Sequence, residues 1–277
     1  MICSMVAFSI ADTLIKVSTT FLSPAQVMFY LMFGGMIIFS VSTLLQGNRL
    51  IDRRAIAPIL LLRYIAEVTG MLGMVMALAN VPISTVGAVT QAAPIVAALG
   101  AVLFLREKIG WRRWSSIVFG FLGVLLIVQP GAVKFDVAVL WALLALVALS
   151  VRDLTTRLAP KDMATTSLAT YTVTAALPFI SGWMLLNGES FFPAHTNWVI
   201  VLPMVIIGST GYLLLTLSLR MAEVSVVMPF RYSRVVFLLG IGAIVFDERP
   251  NALMLVGAVL IIASGCYMMW RERIVKH

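Results

Sequence analysis

The sequence has few charged residues for its length. Only 12% of its 277 residues are charged, against about 25% in an average soluble domain, whereas 61% are hydrophobic. The mean hydropathy is +1.03. A water-soluble globule of this size has too little interior to hold so many apolar side chains, so the composition predicts an integral membrane protein.

Cysteine and histidine are almost missing. Cys3 and Cys266 lie at opposite ends of the chain, and the only histidines are His195 and His277. This scarcity argues against a disulfide framework, a metal centre and histidine catalysis. The patterns HExxH, GxSxG and GxxxxGK[ST] are also missing from the sequence. We therefore expect no catalytic residue, no metal and no cofactor, and we keep an intramembrane enzyme or a channel only as remote alternatives.

Apolar runs of membrane-spanning length recur along the whole chain. A helix needs about 20 apolar residues to cross the hydrocarbon layer, where its backbone must satisfy its own hydrogen bonds. Asp12 and Lys16 interrupt the first run, which we interpret as a helix and not as a signal peptide, with a short leader before it left open. We predict an all-α integral membrane protein with ten transmembrane helices at about 2–22, 25–46, 56–79, 83–105, 113–129, 136–157, 164–186, 198–219, 223–246 and 251–270.

Basic residues are concentrated on one side of these predicted helices. Thirteen Lys and Arg fall on the side of the N-terminus, and only Lys134, Arg249 and Lys16 fall on the other. The excess of positive charge predicts that both termini are cytoplasmic, which fits a bacterial inner membrane. It also accounts for the net charge of +8, so we expect a lipid bilayer and a small-molecule substrate as partners, and no nucleic acid.

The chain matches itself without a gap at a shift of 141 residues. Because each copy contains five predicted helices, the second copy enters the membrane upside down. We predict two inverted five-helix repeats, 1–135 and 136–277, an arrangement typical of secondary transporters. The matching pairs include Ser9/Ser150, Asp12/Asp153, Tyr30/Tyr171, Gly47/Gly188, Thr69/Thr210, Gly70/Gly211 and Glu107/Glu248.

Two related segments carry a resemblance to a known family. VLFLREK at 102–108 and AIVFDER at 243–249 each end a helix on Glu and a base, before a span rich in small residues. With ten helices in a five-plus-five repeat, the chain resembles the EamA-type branch of the drug/metabolite transporter superfamily. The segment around Arg231 resembles bacterial members described as amino-acid exporters or S-adenosylmethionine carriers. The resemblance implies that the first, third and fourth helices of each half line a central cavity. It also implies that the second and fifth helices of each half lie outside this cavity or toward neighbours, where a second copy of the chain can pack, so a homodimer stays open.

Charged residues inside the predicted helices need a partner or a function, since each costs about 2.5–3.5 kcal/mol at the bilayer centre. Asp12/Lys16, Arg63/Glu67 and Asp153/Arg157 are spaced i,i+4, so each pair can neutralise itself on one helix face. Arg152 is expected to reach the interface or pair nearby. Arg231 and Arg234 have no acid on their own helix, so their partner is an acid of another helix or a substrate carboxylate.

A cavity with both signs of charge suits a zwitterion, because Arg binds carboxylates and Asp or Glu binds ammonium groups. We predict a secondary transporter of small polar metabolites, with amino acids or related zwitterions favoured. Apolar drugs, vitamins and S-adenosylmethionine are the alternatives. Glu67, Asp12 and Asp153 are the candidate proton-coupling residues. The candidate substrate-binding residues are Arg231, Arg234, Arg63, Glu67, Asp12, Tyr30, Gln91, Tyr212 and Tyr232.

Overall fold

The computed structural model describes residues 1–48, 50, 52–80, 86, 89–90, 92–106, 110–128, 138–245 and 252–275, and helix is the only regular secondary structure in these ranges. Short 3-10 turns lie at Arg53–Ile56 and Met228–Tyr232. The helices are α1 Ile2–Ser18, α2 Pro24–Leu45, α3 Pro58–Asn80, α4 Ala93–Phe104, α5 Trp111–Val128, α6 Val139–Leu158, α7 Thr165–Leu186, α8 Trp198–Met221, α9 Val224–Val227, α10 Ser233–Val245 and α11 Ala252–Val275.

Five of these helices are long and apolar enough to cross a membrane: α2, α3, α6, α7 and α8. Their outer faces carry large exposed apolar side chains, such as Ile65, Leu186 and Val199. Long apolar helices with an exterior of this kind are typical of a protein that faces lipid. The structure therefore supports a multi-pass membrane protein, whereas the count of ten helices and the orientation of the termini stay predictions.

Residues that favour helix ends separate α2 from its neighbours. Ser23 begins α2 with a capping box, in which its side chain accepts from the amide of Gln26 while the side chain of Gln26 accepts from the amide of Ser23. Gly47 ends the helix at φ +71°, a conformation that glycine adopts without strain. Gly188, its partner at the shift of 141, ends α7 in the same way at φ +66°.

The helices pack in pairs that correspond between the two halves of the sequence. α1 packs on α8 and α3 on α6, while α2 packs on α7 and α5 on α11. Because α6 and α8 follow α1 and α3 by five predicted spans, exchanging the two halves of the sequence turns the pair α1–α8 into the pair α6–α3. The packing thus has the pattern that a two-fold relation between the halves produces.

Glycines bring two of these pairs into close contact at matching positions. A Cβ placed on Gly70 of α3 would lie 3.3 Å from the amide nitrogen of Leu149 in α6. A Cβ placed on Gly211 of α8 would lie 3.5 Å from the amide nitrogen of Phe8 in α1. Since Gly211 and Leu149 are the counterparts of Gly70 and Phe8 at the shift of 141, the same small-residue contact is made twice.

The ninth predicted span is not one continuous helix. Residues 224–245 form α9, the 3-10 turn Met228–Tyr232 and α10. Pro229 lies in the turn and lacks the amide hydrogen that an α-helix would need there. The turn changes the directions in which Arg231 and Arg234 project.

The close contact of α3 and α6 predicts opposite effects for one substitution at two glycines. Gly73→Ala would place a methyl group 2.7 Å from the carbonyl oxygen of Trp141 and 2.8 Å from the amide of Ala145, so the helices must separate. We expect it to lower the melting temperature of the detergent-purified protein. Gly182→Ala is the control, because its Cβ has nothing within 4 Å and alanine favours the helix. Equal melting temperatures for the two variants would contradict this packing.

Candidate functional site

A cavity of about 100 Å³ lies at the centre of the helices. One part of its wall is apolar and includes Phe8, Ile15 and Phe39. The other part carries charged and hydroxyl groups from six elements of the fold. These polar residues are Asp12 of α1, Glu67 of α3, Arg152 of α6, Ser209 and Tyr212 of α8, Arg231 of the 3-10 turn and Arg234 of α10.

The first charge pair in this wall joins α1 to α10. Arg234 donates from Nη2 to Oδ2 of Asp12, and its guanidinium lies 5.4 Å from the ring centre of Phe8. Asp12 is 4% exposed, so its charge is withdrawn from lipid and bulk water. The pair presents one cation and one anion side by side on the cavity wall.

The second charge cluster centres on Asp153, which is fully buried. Arg152 donates from Nη2 to Oδ1 of Asp153 at 2.7 Å, and Arg231 donates from Nη1 to Oδ2. Arg152 also reaches Oε1 of Glu67 on α3 at 3.3 Å. Four charges of alternating sign therefore run from Glu67 through Arg152 and Asp153 to Arg231, which links α3, α6 and the 3-10 turn.

Tyr212 connects this cluster to a further arginine. Its hydroxyl donates to Oε2 of Glu67 at 2.8 Å and accepts from Nη2 of Arg63 at 2.9 Å. Arg63 also donates to the hydroxyls of Thr156 and Thr172. Among the described residues these partners of Arg63 are neutral. The two charge clusters and Arg63 together contain four arginines and three acids, namely Arg63, Arg152, Arg231, Arg234, Asp12, Glu67 and Asp153.

The structure brings only some of the sequence-predicted site residues together. Asp12, Glu67, Tyr212, Arg231 and Arg234 line the cavity, and Gln91 lies outside the described residues. Asp153 and Arg63 lie directly behind the wall, where they hold residues that line it. These seven described residues form one connected site with Arg152.

Two predicted site residues lie elsewhere. Tyr30 donates to or accepts from Thr196 at 3.2 Å and packs its ring on Phe192 and Trp198, at the end of α2 near the 187–197 connection. Tyr232 packs beside Gly120 of α5. The 3-10 turn causes the second displacement, because neighbouring residues of a tight turn point in different directions and Arg231 takes the cavity side.

The predicted i,i+4 pairing is replaced by contacts between helices. Glu67 binds Arg152 and Tyr212 instead of Arg63. Asp12 binds Arg234, while Lys16 donates to the carbonyl oxygen of Leu78 at 2.8 Å. Carboxylates buried between packed helices meet arginines of the facing helix at hydrogen-bond distance, and a contact along one helix surface offers less burial and poorer geometry.

Arg157 also differs from its predicted pairing. It donates to the carbonyl oxygen of Arg220 at 2.9 Å, while Asp153 binds Arg152 and Arg231. Arg152 is 5% exposed and lines the cavity, and it pairs with the neighbouring Asp153, which is the second of its two predicted outcomes. The close approach at Gly70 explains this position, because Glu67 lies one turn before Gly70 and faces the turn of α6 that carries Arg152.

The cavity-lining helices differ in part from those that the resemblance implies. The second helices contribute as well, through Leu31, Met32 and Phe39 of α2 and Val173 of α7. In the first half, the described residues of the fourth predicted span that reach a cavity are Thr90 and Ala93, which line an adjoining space of about 20 Å³. The fifth helices α5 and α11 do lie outside and pack on each other. Phe8 and Phe39 were missed as lining residues because apolar side chains have no signal that separates lining from packing.

A cavity with paired charges lies among helices whose exterior is apolar, an arrangement that fits a membrane protein. Residues 1–129 and 136–270 both match the EamA-like transporter family. The chain belongs to this family and is a membrane transporter, not an enzyme. The resemblance stated from the sequence is thereby confirmed.

Relatives within reach of sequence comparison are named as carriers of different molecules. An S-adenosylmethionine uptake transporter of Rickettsia bellii is 26% identical over 98% of this chain and 92% of its own length. A riboflavin transporter of Vibrio cholerae is 28% identical over 75% of this chain and 70% of its own. A pseudopaline exporter of Pseudomonas aeruginosa is 25% identical over 93% of this chain and 90% of its own.

A crystal structure supports the fold independently. It matches 99% of this chain and 99% of its own with a TM-score of 0.79, at 16% sequence identity. At this identity the likeness concerns the fold alone. Together with the family match, it agrees with the all-helical architecture described above.

The central position of Asp153 predicts that neutralising it destabilises the protein. Asp153→Asn leaves Arg231 buried without its carboxylate partner, and breaking a buried pair costs about 3–5 kcal/mol. We expect a clear fall in the free energy of unfolding, measured by denaturant titration in detergent micelles.

Asp162→Asn is the matched control, since Asp162 pairs with Arg54 on the exposed surface. The guanidinium of Arg54 holds the pKa of this carboxyl below its usual value, but both groups are hydrated. We expect almost no change in stability at neutral pH. A loss as large as that of Asp153→Asn would show that burial of the pair is not the cause.

Proposed function

We propose that this transporter carries a small metabolite with an amino carboxylate group, such as an amino acid or S-adenosylmethionine. The observation that carries the proposal is the pair Asp12 and Arg234 on the cavity wall. A substrate carboxylate can replace Asp12 on the planar fork of Arg234, and its ammonium group can bind Asp12. Each protein charge then keeps an opposite partner throughout binding.

The excess of arginine in the deep network favours a carboxylate over a purely cationic substrate. Four arginines face three acids, and the partners of Arg63 are hydroxyl groups in the described part of the chain. A bound carboxylate would reduce this surplus positive charge in a region of low dielectric constant. Riboflavin, which has no amino carboxylate, would gain less from such a wall, and this is the reason to prefer the zwitterion.

We further propose that residues 1–135 and 136–277 are inverted repeats that move relative to each other. The matched helix pairs and the repeated glycine contacts Gly70–Leu149 and Gly211–Phe8 support this view. The cavity lies between elements of both repeats, as the substrate sites of such carriers do. Alternating access, with both termini in the cytoplasm of a bacterial cell and the chain in its inner membrane, follows as the working scheme.

Among the three acids, Glu67 is the best candidate for a coupling proton. It lines the cavity, and its ion-pair partner Arg152 also binds Asp153. Protonation of Glu67 therefore leaves Arg152 with a carboxylate. Protonation of Asp12 would instead remove the carboxylate to which Arg234 is bonded.

Solute counterflow in proteoliposomes tests the substrate class directly. We expect saturable exchange with methionine or S-adenosylmethionine when the vesicles are loaded with the same compound. Methioninol, which keeps the ammonium group and lacks the carboxylate, should not exchange. Saturable riboflavin exchange without any exchange of the two zwitterions would overturn the proposal.

Substitution of Arg234 tests its role in binding the carboxylate. Arg234→Gln should raise the half-saturation concentration by tenfold or more, on the order of the worth of a hydrogen bond to a charged group. Arg234→Lys should recover only part of the affinity, because Lys has no bidentate fork. Arg54→Gln removes an exposed arginine that bonds to Asp52 and Asp162, and it should leave exchange unchanged. Unaltered exchange in Arg234→Gln would contradict the assignment.

Neutralisation of Glu67 tests proton coupling separately from binding. Glu67→Gln can still accept from Tyr212 but no longer binds a proton, so accumulation driven by a pH gradient should be lost while counterflow persists. Glu189→Gln is the control, because Glu189 lies in a connecting segment and accepts from Ser23. Gradient-driven accumulation by Glu67→Gln at the wild-type level would assign coupling to another residue.

A further inference from the structure

A second cavity, of about 360 Å³, lies between α5 and α11, away from the central charges. Its wall includes Trp111, Ser116 and Phe119 of α5 and Leu260, Ser264 and Tyr267 of α11. Trp111 and Phe119 are mostly exposed, so the cavity opens toward the surface that faces the hydrocarbon. Because α5 and α11 are the outer helices of the two halves, this space is reached from the membrane.

Two hydroxyl groups in this wall have no hydrogen-bond partner among the described residues. They are Oγ of Ser116 and Oγ of Ser264, on side chains that are 1% and 6% exposed. An unsatisfied buried hydroxyl costs about 1–3 kcal/mol, so two of them on residues that line one cavity favour a bound acceptor there. Other helical serines and threonines of this protein, such as Ser42 of α2, donate to a carbonyl oxygen one turn before.

The mouth of the cavity adds a positive charge. Arg112 is exposed beside Trp111, and its guanidinium lies 5.3 Å from the centre of the indole ring. Tryptophan beside arginine at a helix start is typical of the headgroup level of a membrane. The charge distribution of the sequence predicts this end to be cytoplasmic, where anionic lipids attract basic residues.

We infer that the space between α5 and α11 is a binding site for an anionic diacyl phospholipid. The apolar wall receives an acyl chain, Ser116 and Ser264 donate to ester or phosphate oxygens, and Arg112 binds the phosphate charge. A second protein chain fits these groups less well, because an apolar helix face would leave both hydroxyls unsatisfied. The site is separate from the central cavity and does not depend on the proposed substrate.

Lipid titration followed by native mass spectrometry tests this inference. The protein in detergent is mixed with phosphatidylglycerol or phosphatidylcholine, and bound lipid is counted. We expect one phosphatidylglycerol to bind more tightly than the rest. Ser116→Ala/Ser264→Ala should weaken that binding about tenfold, since two hydrogen bonds are lost. Ser42→Ala, whose hydroxyl is already satisfied on Ile38, should not change it.

Arg112→Gln separates headgroup recognition from folding, because Arg112 is exposed and its loss leaves the helix contact intact. We expect it to remove the preference for phosphatidylglycerol over phosphatidylcholine. Equal phosphatidylglycerol affinity in the wild type, the double serine variant and Arg112→Gln would overturn the inference. A wild-type dimer that dissociates in the double serine variant would overturn it too, since the face would then be an interface between two copies of the chain.

Discussion

The need to neutralise arginine and carboxylate groups inside a bilayer governs this structure. A single buried charge costs several kcal/mol, and in the described part of the chain six charged side chains are buried, with Arg234 partly buried beside them. Each carboxylate is held by at least one arginine of another helix. The 3-10 turn Met228–Tyr232 makes this possible, because it lets Arg231 face Asp153 on α6 while Arg234 faces Asp12 on α1.

The charges depend in turn on residues that have no charge at all. Gly70 and Gly73 allow α3 and α6 to approach until backbone atoms almost touch, which brings Glu67 within 3.3 Å of Arg152. Larger side chains at the two glycines would separate Glu67 from Arg152. Each group would then be buried at the full free-energy cost of desolvation, without the ion pair that offsets it. Ion pairing in this fold therefore depends on small-residue packing, because the glycine contacts set the distance between the helices at which the charged groups meet.

The sequence allows the membrane class, the family and the charged helices to be predicted, because hydropathy and charge are properties of segments. Charge within the apolar segments also predicts Asp12, Glu67, Arg231 and Arg234 as site residues, and all four line the cavity. The partners could not be predicted, since an arginine reaches acids on several neighbouring helices and only the packing selects one. The prediction that Tyr232 belongs to the site is not met, because its ring lies beside Gly120. The 3-10 turn that directs the ring there has no sequence signal beyond Pro229.

The charge distribution is less symmetric than the packing. At the shift of 141, Asp12 corresponds to Asp153, but Arg231 and Arg234 correspond to Thr90 and Ala93, which are neutral. Asp12 and Asp153 thus each bind an arginine of the second half, and these two arginines lie three residues apart in the chain. In the proposed exchange of conformations between the halves, the two states would differ in energy, since the second half carries Arg231 and Arg234 where the first has Thr90 and Ala93. Under the proposed alternating access, the turn at 228–232 either moves together with α1 and α6 or releases one aspartate when the ammonium group of the proposed substrate replaces the arginine.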